Sequence, residues 1–214
     1  MKIVLLCSDI HHPVYAYLEQ WKSENDAQHD IQLISKTKEI ATKGDLLFLI
    51  SCSELIRKTT RNLFRYTLVL HASDLPEGRG WSPHIWDIVN GKDELTLSLL
   101  NANDKVDTGD IWQKRKIELN GTELFHEIND LLFRAELELI SWACESIDVA
   151  EPIRQPDTSI TYHEKRTPTD SEVDMSKSLV SQFNLLRVCD PKRFPAFFYH
   201  KDQKYKILIE KDDD

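Results

Sequence analysis

The chain has 214 residues, 41% of them hydrophobic, and 36 Asp plus Glu against 27 Lys plus Arg give it a formal net charge of −9. That length suits one α/β domain or one domain with a small appendage, and the apolar fraction can fill a sizeable core. The acid excess argues against sequence-independent nucleic-acid binding, which depends on Lys and Arg neutralising phosphates, and no apolar run approaches the roughly 18 to 20 residues of a membrane span. The apolar run at residues 2–7 is too short for a secretory segment and lacks a small-residue cleavage site, so a buried first strand is expected. Cys7, Cys52, Cys144 and Cys189 lie far apart and read as free thiols of a reducing compartment. A cytoplasmic location and the absence of a metal site are the expectations.

In chain order, residues 2–7, 31–35, 46–50 and 67–70 are short apolar runs bounded by polar or turn residues, the pattern of parallel strands covered on both faces. Between the first two, Pro13 suits a first helical position, and Val14, Leu18 and Trp21 share a helical stripe. Ser53 is expected to cap a helix from Ile56 to about Leu63, and Ser82 to cap one that begins at Pro83 and stops before Gly91. Trp86 on that helix reads as core. The alternation of Leu95, Leu97 and Leu99 with Thr96 and Ser98 predicts a strand with one less apolar face. After the Asn120-Gly121 turn, a long helix from Thr122 aligns Leu124, Ile128, Leu131, Ala135, Leu139 and Trp142. Residues 151–174 read as a linker or surface excursion with Pro152, Pro156 and Pro168. A short helix through Leu179, Phe183 and Leu186 follows, then a hairpin of 196–200 and 204–209. The tail 211–214 reads as frayed. Arg57, Lys58, Arg61 and Arg65 read as a solvated helix face. The expected fold is α/β, a doubly wound, mostly parallel sheet over 1–150, with a linker and small helix-plus-hairpin extension over 151–214.

Ligands of open α/β sheets bind beyond the carboxyl ends of the strands. Residues 8–12, 51–53 and 71–80 all follow such ends, and Asp107 lies in a loop after the next strand. In the third loop, His71 ends a strand and Leu75-Pro76-Glu77-Gly78-Arg79-Gly80-Trp81-Ser82-Pro83 leads to a helix. Gly78 and Gly80 permit backbone shapes and close approach that side chains block. The second segment, Val106-Asp107-Thr108-Gly109, is a tight turn.

Together, His71, Ser73, Leu75-Pro76, Arg79-Gly80, Pro83 and Trp86 with Asp107-Thr108-Gly109 resemble the folate-dependent formyltransferases. That family includes methionyl-tRNA formyltransferase, glycinamide ribonucleotide formyltransferase and the nucleotide-sugar N-formyltransferases. The resemblance continues through Arg166-Thr167-Pro168, Asn184-Leu185-Leu186-Arg187 and Phe194-Pro195-Ala196-Phe197-Phe198. It implies the family's Rossmann-like fold, with His71 and Asp107 as two members of a catalytic Asn-His-Asp trio. The Asn position two residues before the histidine holds Val69, which removes one oxyanion donor; Ser51, Ser53, Asn101 and backbone N–H groups are candidate replacements.

The resemblance further implies transfer of a formyl group from N10-formyltetrahydrofolate to a primary amine without a metal. The folate is expected along Leu75, Pro76, Gly78, Arg79 and Gly80, with Val106, Thr108 and Gly109 closing on the pterin. The acidic balance and the short segment after the long helix favour a nucleotide-linked amino sugar over tRNA as acceptor. His11, His12, Tyr15, Trp81, Asn184 and Arg187 are the candidate substrate contacts. Another amine, a formyl-folate hydrolase and an inactive folate- or sugar-nucleotide-binding paralogue are the alternatives, and a homodimer through the C-terminal part is implied by resemblance.

Overall fold

The computed structural model describes residues 1–212. Its six-stranded sheet is built from β1 (Lys2–Leu6), β2 (Asp30–Ile34), β3 (Gly44–Leu49), β4 (Phe64–His71), β6 (Glu94–Asn101) and β7 (Ile111–Glu118) in the order β2-β1-β3-β4-β6-β7. The first four are mutually parallel; β6 runs antiparallel to β4, and β7 antiparallel to β6. Helices α1 (Val14–Asn25), α3 (Pro83–Val89) and α4 (Phe125–Ser146) supply most of the helical cover, with a single turn α2 (Lys58–Arg61) before β4. The mostly parallel α/β sheet is the one the sequence predicts.

Alternating side chains of β1 divide the core. Ile3 and Leu5 join Leu18, Trp21, Phe48, Leu97, Leu99, Ile128 and Leu139 on one face, whereas Val4 and Leu6 join Leu47, Leu49, Ile56 and Phe64 on the other. Burial of such side chains stabilises by about 1.5–3 kcal/mol each relative to exposure. No helix of the described residues is long and apolar enough to cross a membrane.

Several local expectations are corrected. Pro13 stands one residue before α1, and β4 begins at Phe64. The helix expected from Ile56 shrinks to four residues, because the Ser53 N–H is drawn to Ser8 Oγ and Ile56 O is taken by the Arg61 guanidinium. Ser82 makes no side-chain cap; its φ of 46° turns the chain sharply into α3, while Pro83 at the first turn and Gly91 past the end stand as predicted. Thr96 and Ser98 are buried, so β6 is covered on both faces. The long helix begins at Phe125, where Glu127 accepts the Leu124 N–H, and turns Leu132 inward while Leu131 is exposed. Leu179 is exposed beyond α5 (Phe183–Arg187). The closing hairpin pairs β9 (Ala196–His200) with β10 (Gln203–Ile207) across Lys201-Asp202, both at positive φ. Of the tail, Lys211 is tied to Glu127 at 2.6 Å, and residues 213–214 lie outside the described residues. Arg61 and Arg65 pair with Asp104 and Asp148, which breaks up the basic face.

Candidate active site

The strand order reverses between β1 and β3, which opens a crevice at their carboxyl ends. The loops that leave these strands meet there. Ser8 Oγ accepts the Ser53 N–H at 3.0 Å, and Ser51 Oγ lies 3.3 Å from His12 Nε2. Beside them, β4 ends at His71.

His71 is 8% exposed and Asp107 7%, and His71 Nδ1 stands 3.6 Å from Asp107 Oδ1. Asp107 reaches it by an indirect route. Because β6 is antiparallel, Asn101 pairs with Leu68 while Ser98 pairs with His71, so the 102–110 loop must return toward the end of β4. Asp107 sits in the left-handed region (φ 57°), and Gly109 crosses so close to β6 that a Cβ there would lie 1.8 Å from Asn101 O. The other ring nitrogen of His71, Nε2, donates to Gly78 O at 2.9 Å, since a carbonyl only accepts. With that proton fixed, the Nδ1 lone pair faces a carboxylate, and their separation exceeds a hydrogen bond. Asp107 Oδ2 accepts the Gly80 N–H at 2.9 Å, which fixes the carboxylate from its far side.

The region expected to be a linker or surface excursion folds onto this pair. β8 (Tyr162–His163) runs parallel to β5 (Arg79–Gly80); Arg79 N–H donates to Thr161 O, and Trp81 N–H to His163 O. Gly78 N–H donates to Thr161 Oγ1 at 2.8 Å. The close approach that Gly80 allows is therefore to the chain itself: at φ 100°, a Cβ there would lie 2.4 Å from His163 O.

The other expected contacts divide. Leu75 is 1% exposed and packs with Leu100 and Ile111, and Arg79 is spent on Gln155 and Tyr162, so these two side chains face inward and the expected folate surface there is corrected. Pro76 and Gly78 are likewise buried. Val106 is exposed and Thr108 half-buried, with its hydroxyl on Lys105 O. Trp81 is exposed under Lys165, and Trp86 is half-buried and stacks on His163 rather than lying in the core. His11 is exposed, and Tyr15 packs against the main core. His12 lies at the crevice, and burial followed by the Arg193 cation pushes it below its usual range. Arg187 is 1% exposed and ion-paired with Glu123 at 3.4 Å, with Asn184 Oδ1 accepting its Nε–H. The Arg187–Glu123 pair therefore anchors the C-terminal segment to the turn before α4.

Val69, on the same side of β4 as His71, packs with both Leu75 and Leu49 clusters and leaves the Asn position apolar. Asn101 pairs with Leu68, turns to the opposite sheet face and spends its carbonyl on the Trp112 indole. Three groups were given no role of their own in the sequence reading. Ser73 Oγ is buried without a partner in the loop after His71. His84 Nδ1 is enclosed without a partner, and burial lowers that histidine to about 4. Ile10 and Leu55 stand exposed in the loops after β1 and β3. The serine lies within the recognised motif, whereas the apolar pair had no sequence signal beyond position.

An imidazole facing a carboxylate at the open end of such an α/β sheet is an arrangement that can move protons. The family model for formyl transferase matches residues 1–143, and the chain belongs to that family. The methionyl-tRNA formyltransferase of Clostridium beijerinckii is 27% identical over 180 residues, which cover 83% of this chain and 58% of that protein. The chain thus spans less than two thirds of the length of that curated relative. Among solved structures, methionyl-tRNA formyltransferase from Clostridium thermocellum superposes with a TM-score of 0.79 at 22% identity, covering 95% of this chain and 90% of the other. A sugar N-formyltransferase from a Shewanella species gives 0.74 at 14% identity, covering 99% and 98%. At these identities, the two structures speak for the fold.

Proposed function

We propose that this chain transfers a formyl group from N10-formyltetrahydrofolate to the primary amine of a nucleotide-linked amino sugar, with His71 and Asp107 moving the protons. The observation that carries this reading is the enclosed pair, in which one imidazole nitrogen is fixed by Gly78 O and the other faces a carboxylate held by Gly80 N–H. The amine nitrogen attacks the formyl carbon, a C–N bond forms, and the carbonyl oxygen takes the negative charge. The ammonium proton passes to the gap between His71 Nδ1 and Asp107. As the oxyanion collapses, the bond from formyl carbon to folate N10 breaks, and that proton goes to N10. A positioned acid-base pair of this kind contributes about 100- to 10,000-fold.

The exposed Ile10 and Leu55, in the loops that leave β1 and β3, offer apolar surface to the flat part of the folate, and Val106 next to Asp107 offers more. Ser73 Oγ, buried and unpartnered in the loop after His71, is a side-chain donor for the oxyanion where Val69 offers none, whereas Asn101 pairs with Leu68 and turns to the opposite sheet face with Trp112. For the acceptor, the net charge of −9 disfavours the polyphosphate backbone of tRNA. Lys165 over Trp81 and Arg166 over Trp86 supply aromatic faces and cations near β5 that suit a base and diphosphate. A tRNA acceptor is the second reading, favoured by the relative from C. beijerinckii.

The test is incubation with formyl-folate and one of three acceptors: a panel of nucleotide-linked amino sugars, methionyl-tRNA, or none. Formylated sugar in the mass spectrum is expected. Formylated tRNA alone would replace the acceptor, turnover without amine would make the chain a hydrolase, and binding without turnover would make it a binding paralogue. His71→Ala should lower turnover about 100- to 10,000-fold while circular dichroism stays unchanged; wild-type rates in that variant would remove His71 from the chemistry.

A further inference from the structure

The 151–166 segment holds one residue whose bonds reach both halves of the candidate pair's support. Gln155 is buried, and its side chain satisfies three hydrogen bonds. Its Nε2 donates to Asp107 O at 2.9 Å and to Gly109 O at 2.7 Å, while its Oε1 accepts from Arg79 Nη2 at 2.7 Å. The backbone beside it is pinned by a two-way bridge, Ile111 N–H to Ile153 O at 2.8 Å and Ile153 N–H to Ile111 O at 2.7 Å. These contacts close a ring: Asp107 Oδ2 is held by Gly80 N–H, Gly80 follows Arg79, Arg79 grips Gln155, and Gln155 returns to Asp107 O.

We infer that Gln155 is a positioning residue for the reaction proposed above, on which this inference rests: its carboxamide orients the Asp107 carboxylate toward His71. The physical need is clear at Asp107, whose backbone is left-handed at φ 57°, a conformation costly for a residue with a Cβ. Two carbonyls of the same turn, Asp107 O and Gly109 O, point inward where no water reaches, and each needs a donor. A carboxamide meets both with its two N–H groups and keeps an oxygen for Arg79; a carboxylate of the same shape would face those carbonyls with lone pairs. If the Asp107 peptide is free to rotate, the carboxylate that starts from the same Cα swings away from His71.

The test uses the whole chain and the 15N signals of the His71 ring, which report what faces each nitrogen and need no turnover. In the wild-type protein, the Gln155 side-chain amide protons should exchange slowly with solvent; rapid exchange overturns the clamp even where no variant folds. In Gln155→Ala and in Gln155→Glu, which keeps the volume and the Arg79 contact, the His71 nitrogen signals should move toward those of Asp107→Asn. The kcat for formyl transfer should fall roughly 100-fold, the scale of a misplacement of about 1 Å, with KM for formyl-folate little changed. Signals that stay at wild-type positions in either folded variant overturn the inference, as does an unchanged kcat. A wild-type protein without turnover would sink the proposed activity alone and leave the nitrogen signals to decide the clamp.

Discussion

Val69 lies two residues before His71 in β4 and packs with Leu75, Leu100 and Ile111, at the position where the family resemblance implies an Asn. An oxyanion donor is worth about 100- to 1,000-fold in rate, so its absence bears more on activity than any surface change. Val69→Asn should therefore raise kcat, by up to about 100-fold. It should also destabilise the protein by about 1–3 kcal/mol, because an amide enters an apolar cluster without an assured partner. Steady-state kinetics beside urea unfolding check both effects. A folded Val69→Asn with unchanged kcat would mean that another donor such as Ser73 Oγ already serves the oxygen, and a lower kcat that the new amide does not reach it. His71 and Asp107 were legible from sequence because each lies in a short motif. Gln155 was not, since its role exists only once Ile153 pairs with Ile111 and brings it beneath Asp107 and Gly109.

Among the elements, the short ribbon of β5 and β8 does most to shape the site, and it was the least visible beforehand. Two residues a side, with Pro-rich and polar neighbours, carry no periodicity to read, so the 151–174 region reads from sequence as a linker or surface excursion. β7 was missed for a different reason. Lys114, Arg115 and Lys116 interrupt its apolar residues, as suits an edge strand that must not recruit another chain. By contrast, β1, β3 and the stripe of α1 were plain, because burial on one or both faces demands a fixed apolar spacing. The ribbon's dependence on Gly80 makes it testable. Gly80→Ala adds a Cβ 2.4 Å from His163 O on a backbone at φ 100°, so β5 and β8 should separate while the six-stranded sheet persists. Hydrogen exchange at the Arg79 and Trp81 amides, whose acceptors are Thr161 O and His163 O, should speed up, and β1 and β3 amides should stay protected. Slow exchange at Arg79 and Trp81 in the variant would show that the ribbon is not held by that approach.

At the scale of the whole molecule, two enclosed groups tie stability to pH in opposite senses. Glu136, buried on α4 with one oxygen unpartnered, is pushed by burial from 4.5 up to about 8. Between those values the folded chain holds a proton that the unfolded chain has released, so stability falls as pH rises through that window. His84 is pushed by burial from 6.5 down to about 4, so below 6.5 the unfolded chain takes a proton that the folded chain refuses, and stability falls as pH drops. The two slopes oppose one another between 4.5 and 6.5 and leave Glu136 alone of the pair between 6.5 and 8. At about 1.4 kcal/mol per pH unit, that upper window is worth up to about 2 kcal/mol. Urea unfolding across the range should thus find the wild-type protein losing stability from pH 6.5 to 8. Glu136→Gln, neutral at every pH, should flatten that limb and leave the acid limb in place. Parallel curves for the two proteins would mean that Glu136 is ionised within the fold at neutral pH. A partner for its second oxygen would then have to be sought among the groups that line α4.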